Sequence, residues 1–237
     1  MLANVAEQRA PYALKFADRL EALHVDKLPA NLSTTTVSNV TLYRLAATAG
    51  MGSALILLVN AAKRGSLIPA SDLTQLLAPF AEVLALGFVI GLFMAFGRRA
   101  GLFGLVAFAM NFIALASLEG VEVVINLIFA KLPLETIVEL RAGPLGLMLT
   151  VASILFLVGS LAFVASMFAG KGVPRIPLIL YAVGVVPIAF RAFVPELALD
   201  LGLVSLAVAI GWLAVFMWIS AHTIGHAVTD STSGARA

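Results

Sequence analysis

The chain has 237 residues, of which 61% are hydrophobic and only 12% are charged, and its mean hydropathy is +1.05. Average soluble domains carry roughly 25% charged residues, so a soluble globule of this size has too little polar surface to cover so many apolar side chains. The formal net charge of +2 gives no basic patch for a nucleic-acid partner, and the absence of cysteine excludes disulfides and thiolate metal sites. These numbers indicate an integral membrane protein, with membrane lipids and other membrane proteins as the expected partners.

Residues 1–40 are predicted to be a cytoplasmic segment that contains a short amphipathic helix and then a polar linker. Pro11 suits the first turn of a helix, and the next apolar side chains recur at the spacing of one helical face: Tyr12, Phe16, Leu20 and Leu23. Such a helix lies on the inner leaflet, docks a partner or packs against the membrane-embedded part of the chain.

Residues 41–222 are predicted to form the transmembrane part. A helix needs about 20 predominantly apolar residues to cross a bilayer. Six stretches meet that requirement, the fifth being the shortest: 42–61, 76–96, 101–130, 144–170, 176–193 and 199–221. We therefore predict an all-α fold, a polytopic membrane helix bundle of about six transmembrane helices. Residues 223–237 are predicted to be a disordered tail.

The distribution of Lys and Arg predicts the orientation. An even number of spans places both termini on one side, and that side receives ten of the 15 basic residues. Because basic residues favour the cytoplasmic side, we expect a multi-pass protein of the cell inner membrane with both termini in the cytoplasm.

The third span carries the most polar face. Four side chains project from it into an arc of about 80°, a face that cannot contact lipid: Asn111, Glu119, Glu122 and Asn126. Such a face lines a substrate or ion pathway, or it forms hydrogen bonds that hold helices together, which is the commoner case. Thr150 and Ser153 of the fourth span are the predicted partners of Asn111.

Three charged side chains fall at nearly one depth. At a rise of 1.5 Å per residue, Glu82 lies about 21 Å above the inner end of its span, Glu119 about 25 Å and Arg191 about 23 Å. This shared level predicts a carboxylate–guanidinium cluster that closes the outer end of the bundle. The alternative is that the three side chains simply reach the outer headgroups.

Two further features have weaker implications. His222 and His226 lie on one helical face and are weak candidates for a metal site, without a third ligand. Gly87 and Gly91 have the spacing of a helix-contact motif, which predicts that the first two spans lie inside the bundle or at a subunit contact.

The sequence contains no nucleophile motif, phosphate-binding loop or acidic metal cluster, and it gives no reason to expect a cofactor. We therefore interpret the chain first as a non-catalytic binding, assembly or regulatory component. One alternative is a small transporter or channel whose pathway uses the polar face of the third span together with Glu82 and Arg191. Another is a membrane-embedded lipid-modifying enzyme with Glu119 and Glu122 as acid and base.

Overall fold

The computed structural model of the chain describes residues 38–233, and the side chains as far as residue 223. This part is all-helical, which confirms the predicted fold class. Seven α-helices lie within it: α1 (Asn39–Arg64), α2 (Asp72–Phe96), α3 (Gly101–Val123), α4 (Leu134–Ala142), α5 (Pro144–Gly170), α6 (Arg175–Ala189) and α7 (Glu196–Ser233). The predicted amphipathic helix in residues 1–40 falls outside the described residues.

Short polar side chains begin the first two helices. Ser38 Oγ accepts a hydrogen bond from the Thr41 backbone N–H at 3.2 Å and caps α1. Ser71 and Thr74 bond reciprocally at the start of α2, so two N–H groups that the helix leaves unsatisfied find partners there. Pro144, which has no N–H to satisfy, occupies the first turn of α5.

The chain folds back between α2 and α3. A 3₁₀ turn, Gly97–Ala100, ends at Gly101, whose φ of 61° suits glycine because it has no Cβ. The rings of Phe93 and Phe108 stack at 4.3 Å across the resulting helix pair. After Val123, helix α3 widens into a π-helical turn, Val124–Ile128, and a 3₁₀ turn follows.

The helices pack in a connected bundle. Helix α1 packs against α2 and α7, α3 packs against α2 and α5, and α6 packs against α5 and α7. The α1–α2 contact is close because a Cβ on Gly91 would stand 2.3 Å from the Ala46 Cβ. The prediction that Gly87 and Gly91 mark a helix contact inside the bundle is therefore confirmed at Gly91.

The outer surface of the bundle is apolar along most of its length. Large side chains such as Leu45, Leu102 and Leu147 are more than 65% exposed. Within the described residues, four helical stretches are long and apolar enough to cross a membrane: Asn39–Arg64, Asp72–Lys131, Pro144–Gly170 and Glu196–Thr223. Because a water-soluble monomer rarely exposes so much apolar area, the chain is a membrane protein.

Five of the six predicted spans lie within these four stretches, and the fifth span coincides with the shorter apolar helix α6; two helix ends differ from the prediction. The stretch Asp72–Lys131 contains the second and third predicted spans, joined by the turn at Gly97. Helix α6 ends at Ala189, short of the predicted residue 193, two residues after Pro187. Helix α7 continues to Ser233, so most of the tail predicted to be disordered is helical.

Candidate functional site

Polar side chains from four parts of the chain meet near one end of the bundle. They come from the end of α1, the middle of α2, the end of α3 with its π-helical turn, and the turn after α6. We call this group the charge cluster, and its members are Lys63, Glu82, Glu122, Asn126 and Arg191.

Glu122 is the centre of the charge cluster. Its Oε1 accepts a hydrogen bond from Arg191 Nη1 at 2.6 Å, and its Oε2 accepts one from Asn126 Nδ2 at 2.8 Å. The Glu122 side chain is 9% exposed and that of Arg191 is 19% exposed. Each oxygen of this carboxylate thus accepts one hydrogen bond from a side chain of the described bundle.

Asn126 links α3 to α1. Its Nδ2 also donates to the backbone carbonyl of Glu122 at 3.0 Å, and its Oδ1 accepts a hydrogen bond from Lys63 Nζ at 2.8 Å. Asn126 lies in the π-helical turn Val124–Ile128, and such turns occur frequently at functional sites. One amide therefore bridges a carboxylate and an ammonium group.

Glu82 contributes the second carboxyl group. Its residue is 7% exposed, and among the described residues no cation lies within 4 Å of it. It is nevertheless close enough to feel the charges of Glu122, Arg191 and Glu119. A buried carboxyl group without an ion-pair partner is costly in a membrane protein, so Glu82 is the least satisfied member of the charge cluster.

The contact between Arg191 and the carboxyl groups of Glu82 and Glu119 that depth predicts is not among the ion pairs of the described residues. Arg191 contacts Glu122 rather than Glu119. Glu119 is half-buried and forms no ion pair within the described residues. Lys63 belongs to the charge cluster although it was not among the predicted site residues; its position in the last turn of α1 puts it at the same end of the bundle.

A second ion pair lies beside the charge cluster and joins α1 to α7. Arg64 donates to Glu196, and its Nε lies 3.5 Å from Asp200 Oδ1. Sequence reasoning did not pair these residues. The sequence signal for this pair is that the basic end of α1 and the acidic start of α7 lie at the same end of the bundle.

Asn111 lies deeper in the bundle and is fully buried. Its Oδ1 accepts a hydrogen bond from Ser160 Oγ at 2.9 Å, and the Tyr181 hydroxyl lies beside both side chains. The prediction that Thr150 and Ser153 would serve as partners is wrong, because both hydroxyls donate to carbonyls of their own helix. The Nδ2 of Asn111 has no hydrogen-bond partner among the described residues.

Of the two histidines proposed as weak metal ligands, only His222 has a described side chain. His222 Nε2 lies 2.8 Å from Arg44 Nη2, and the Arg44 guanidinium stacks over Trp218 at 5.1 Å. The side chain of His226 lies outside the described residues. Within those residues, no three metal-binding side chains come together.

Comparison with protein-family models, curated proteins and solved structures finds no match for the chain. Its function must therefore be argued from the geometry alone. That geometry gives a membrane bundle with a paired charge cluster at one end and a single buried amide, partly unsatisfied, further inside.

Proposed function

We propose that the chain is a multi-pass protein of the cell inner membrane that crosses the bilayer six times, with both termini in the cytoplasm. The support is the arrangement of charge along the helices. At the end of the bundle that holds the charge cluster, acidic residues lie at the start of α2, the end of α3 and the start of α7: Asp72, Glu119, Glu122 and Glu196. The charged residues of the turns Gly97–Ala100 and 171–174 are all basic. Basic turns of this kind favour the cytoplasmic side.

Within that membrane frame, we propose a non-catalytic role as a binding, assembly or regulatory component. The observation that carries this proposal is the internal pairing of Glu122 with Arg191 and Asn126. Groups that neutralise each other across separate parts of the chain hold those parts in one arrangement, and Glu122 is then engaged in holding the fold together. A groove of about 310 Å³ between α3 and α5 is lined mostly by apolar side chains, none of which belongs to the charge cluster.

A small transporter is the second candidate, and two specific observations favour it. Glu82 is buried without a cation partner, and Asn111 Nδ2 is buried without an acceptor in the described part of the chain. Both belong to the interior of the bundle, where a substrate or ion pathway would run through Asn111, Glu82, Glu119, Glu122, Asn126 and Arg191.

A single cysteine separates the two candidates. The chain has no cysteine of its own, so Asn111→Cys introduces one reactive group. A non-catalytic component with a closed interior predicts no reaction with a membrane-impermeant thiol reagent, whereas a transporter predicts labelling that its substrate slows. Ala70→Cys, in the exposed loop after α1, is the positive control, and Val151→Cys, on the apolar outer surface, is the negative control.

Tags at the two ends test the threading. Six crossings predict that amino-terminal and carboxyl-terminal tags are cleaved by protease from the same face of sealed vesicles. Cleavage of the two tags from opposite faces would exclude an even number of crossings and with it the proposed orientation.

A further inference from the structure

Four basic side chains gather at the end of the bundle opposite the charge cluster. Arg98 and Arg99 lie in the turn between α2 and α3, and Lys171 and Arg175 flank the turn between α5 and α6. We call these four residues the basic end. Tyr43, near the start of α1, is close enough to Arg98 to feel its charge, which places the beginning of the first helix at this end as well.

The two turns are packed directly against each other. A Cβ on Gly170 would stand 3.3 Å from the carbonyl oxygen of Phe96, and one on Gly172 would stand 2.8 Å from Arg99 Nη1. Lys171 and Gly172 adopt φ values of 53° and 101°, in the left-handed region that costs most residues free energy. The fold thus holds Arg99 against the turn that carries Lys171, at a conformational cost at Lys171, since glycine adopts a positive φ freely.

None of the four side chains is neutralised within the described residues. All four are exposed, and the ion pairs found in this part of the chain involve other residues. Like charges held close together repel one another, so this arrangement is stabilised when an anion binds between them.

The basic end borders an apolar surface. Leu102 and Phe103 follow Arg99 and are 76% and 51% exposed, and Ile176 and Ile179 follow Arg175 and are 60% and 53% exposed. An anion that binds here meets cations on one side and a hydrocarbon-facing surface on the other. A phospholipid with an anionic headgroup matches both, whereas free phosphate matches only the charge.

We propose that the basic end is a binding site for the headgroups of anionic phospholipids. Such lipids are recognised by clusters of Lys and Arg at the membrane surface. This inference rests on the proposed membrane embedding, but it requires only that these two turns face the same leaflet. The tag-cleavage experiment tests the threading separately, so either proposal can fail alone.

The experiment titrates the purified full chain, in a non-ionic detergent, with phosphatidylglycerol or with phosphatidylcholine of the same acyl chains, and counts bound lipids by native mass spectrometry. The double variant Arg99→Gln with Lys171→Gln is compared with Lys131→Gln with Arg141→Gln, which removes the same two residue types at the other end. Each basic side chain contributes about five-fold to affinity for an anionic surface. The first variant is therefore expected to lower phosphatidylglycerol affinity on the order of 25-fold and to leave phosphatidylcholine binding unchanged.

The matched control variant is expected to bind phosphatidylglycerol within about two-fold of the unmodified chain. Equal losses in both variants would mean non-specific attraction and would overturn the site. Displacement of the lipid by millimolar inorganic phosphate would assign the site to free phosphate instead. No preference of the unmodified chain for phosphatidylglycerol would also overturn the proposal. Both variants are checked for an unchanged elution volume and melting temperature.

Discussion

Replacing Arg191 by glutamine tests whether the charge cluster stabilises the bundle through its central ion pair. The substitution leaves Glu122, whose side chain is 9% exposed, without the cation that lies 2.6 Å away. Removing one partner of a buried pair costs about 3 to 5 kcal/mol, because the other charge stays buried and uncompensated. Since the Arg191 side chain is 19% exposed, we expect a loss of free energy of unfolding at the lower end of this range, about 3 kcal/mol.

The reverse substitution is expected to cost less. With Glu122→Gln, the guanidinium of Arg191 reaches water along its flexible stem, and the new amide can still bond to Asn126. The expected loss is about 1 to 2 kcal/mol. The double variant is expected to lose less than the sum of the two single variants, with a coupling energy of about 1.5 kcal/mol or more.

The assay is reversible unfolding in mixed detergent micelles by titration with sodium dodecyl sulfate, followed by the fluorescence of Trp212 and Trp218. Lys131→Gln is the matched control, because Lys131 pairs with Asp72 at 2.8 Å on the exposed surface and should leave the free energy of unfolding unchanged within error. If Arg191→Gln costs no more than this control, or if the double variant shows no coupling, the reasoning about the buried pair is refuted.

Three further substitutions test other parts of the structure in the same unfolding assay. Glu82→Gln should not lower the free energy of unfolding, because this buried carboxyl group has no cation within 4 Å among the described residues; a loss as large as that of Arg191→Gln would reveal an ion pair. Gly91→Ala should lower the free energy of unfolding by about 1 to 3 kcal/mol, because the new methyl group overpacks against Ala46. Gly87→Ala should be neutral or stabilising, because its Cβ would stand 3.7 Å from the Ala49 Cβ, an ordinary contact distance. Equal effects of the two substitutions would contradict the close α1–α2 contact at Gly91. Ser160→Ala should cost about 1 to 3 kcal/mol by leaving the Asn111 amide without its partner, and Ser166→Ala, equally buried but bonded within its own helix, should cost less than half as much.

The membrane helices could be predicted from the sequence because bilayer thickness sets their length. Five of the six predicted spans lie in helical stretches that are long and apolar enough to cross a membrane, and the fifth span coincides with the shorter apolar helix α6, which has 15 residues. The polar arc that begins in α3 faces the interior at Asn111, Glu122 and Asn126. Two helix ends differ from the prediction. Helix α6 ends two residues after Pro187, which cannot donate a backbone hydrogen bond to the preceding turn, and α7 continues past its apolar stretch, through Gly225, to Ser233.

The partners of the polar residues could not be predicted because they depend on how the helices are positioned along each other. Gly159 packs against the carbonyl of Met110, where a Cβ would stand 2.9 Å from the oxygen, and this contact brings Ser160 next to Asn111. The expected partner Thr150 lies ten residues earlier, or about 15 Å along the helix. The glycine beside Ser160 was the sequence signal that a close approach occurs at that point.

Arg191 pairs with Glu122 and not with the predicted Glu119, and this difference too depends on local geometry that the sequence does not show. Estimating depth from helical rise assumes that Arg191 continues the helix, but α6 ends at Ala189 and Arg191 lies in the turn that follows. The depth of a side chain in such a turn depends on its contacts, and it cannot be calculated by counting residues from the other end of the helix. The π-helical turn after Val123 adds a second departure from regular spacing, and it places Asn126 where it bonds to both Glu122 and Lys63.

Pairing also changes what the charge distribution implies for orientation. A count of basic residues treats Arg64, Lys131 and Arg191 as equal to Arg99 and Lys171, although the first three pair with carboxylates of the chain and the last two form no ion pair among the described residues. A cation that is already neutralised by a neighbouring carboxylate gains less from an anionic membrane surface than an unpaired one. The difference in unpaired basic charge between the two ends of the described bundle is therefore larger than the count of Lys and Arg suggests, and this difference supports the proposed orientation, in which the basic end faces the cytoplasm.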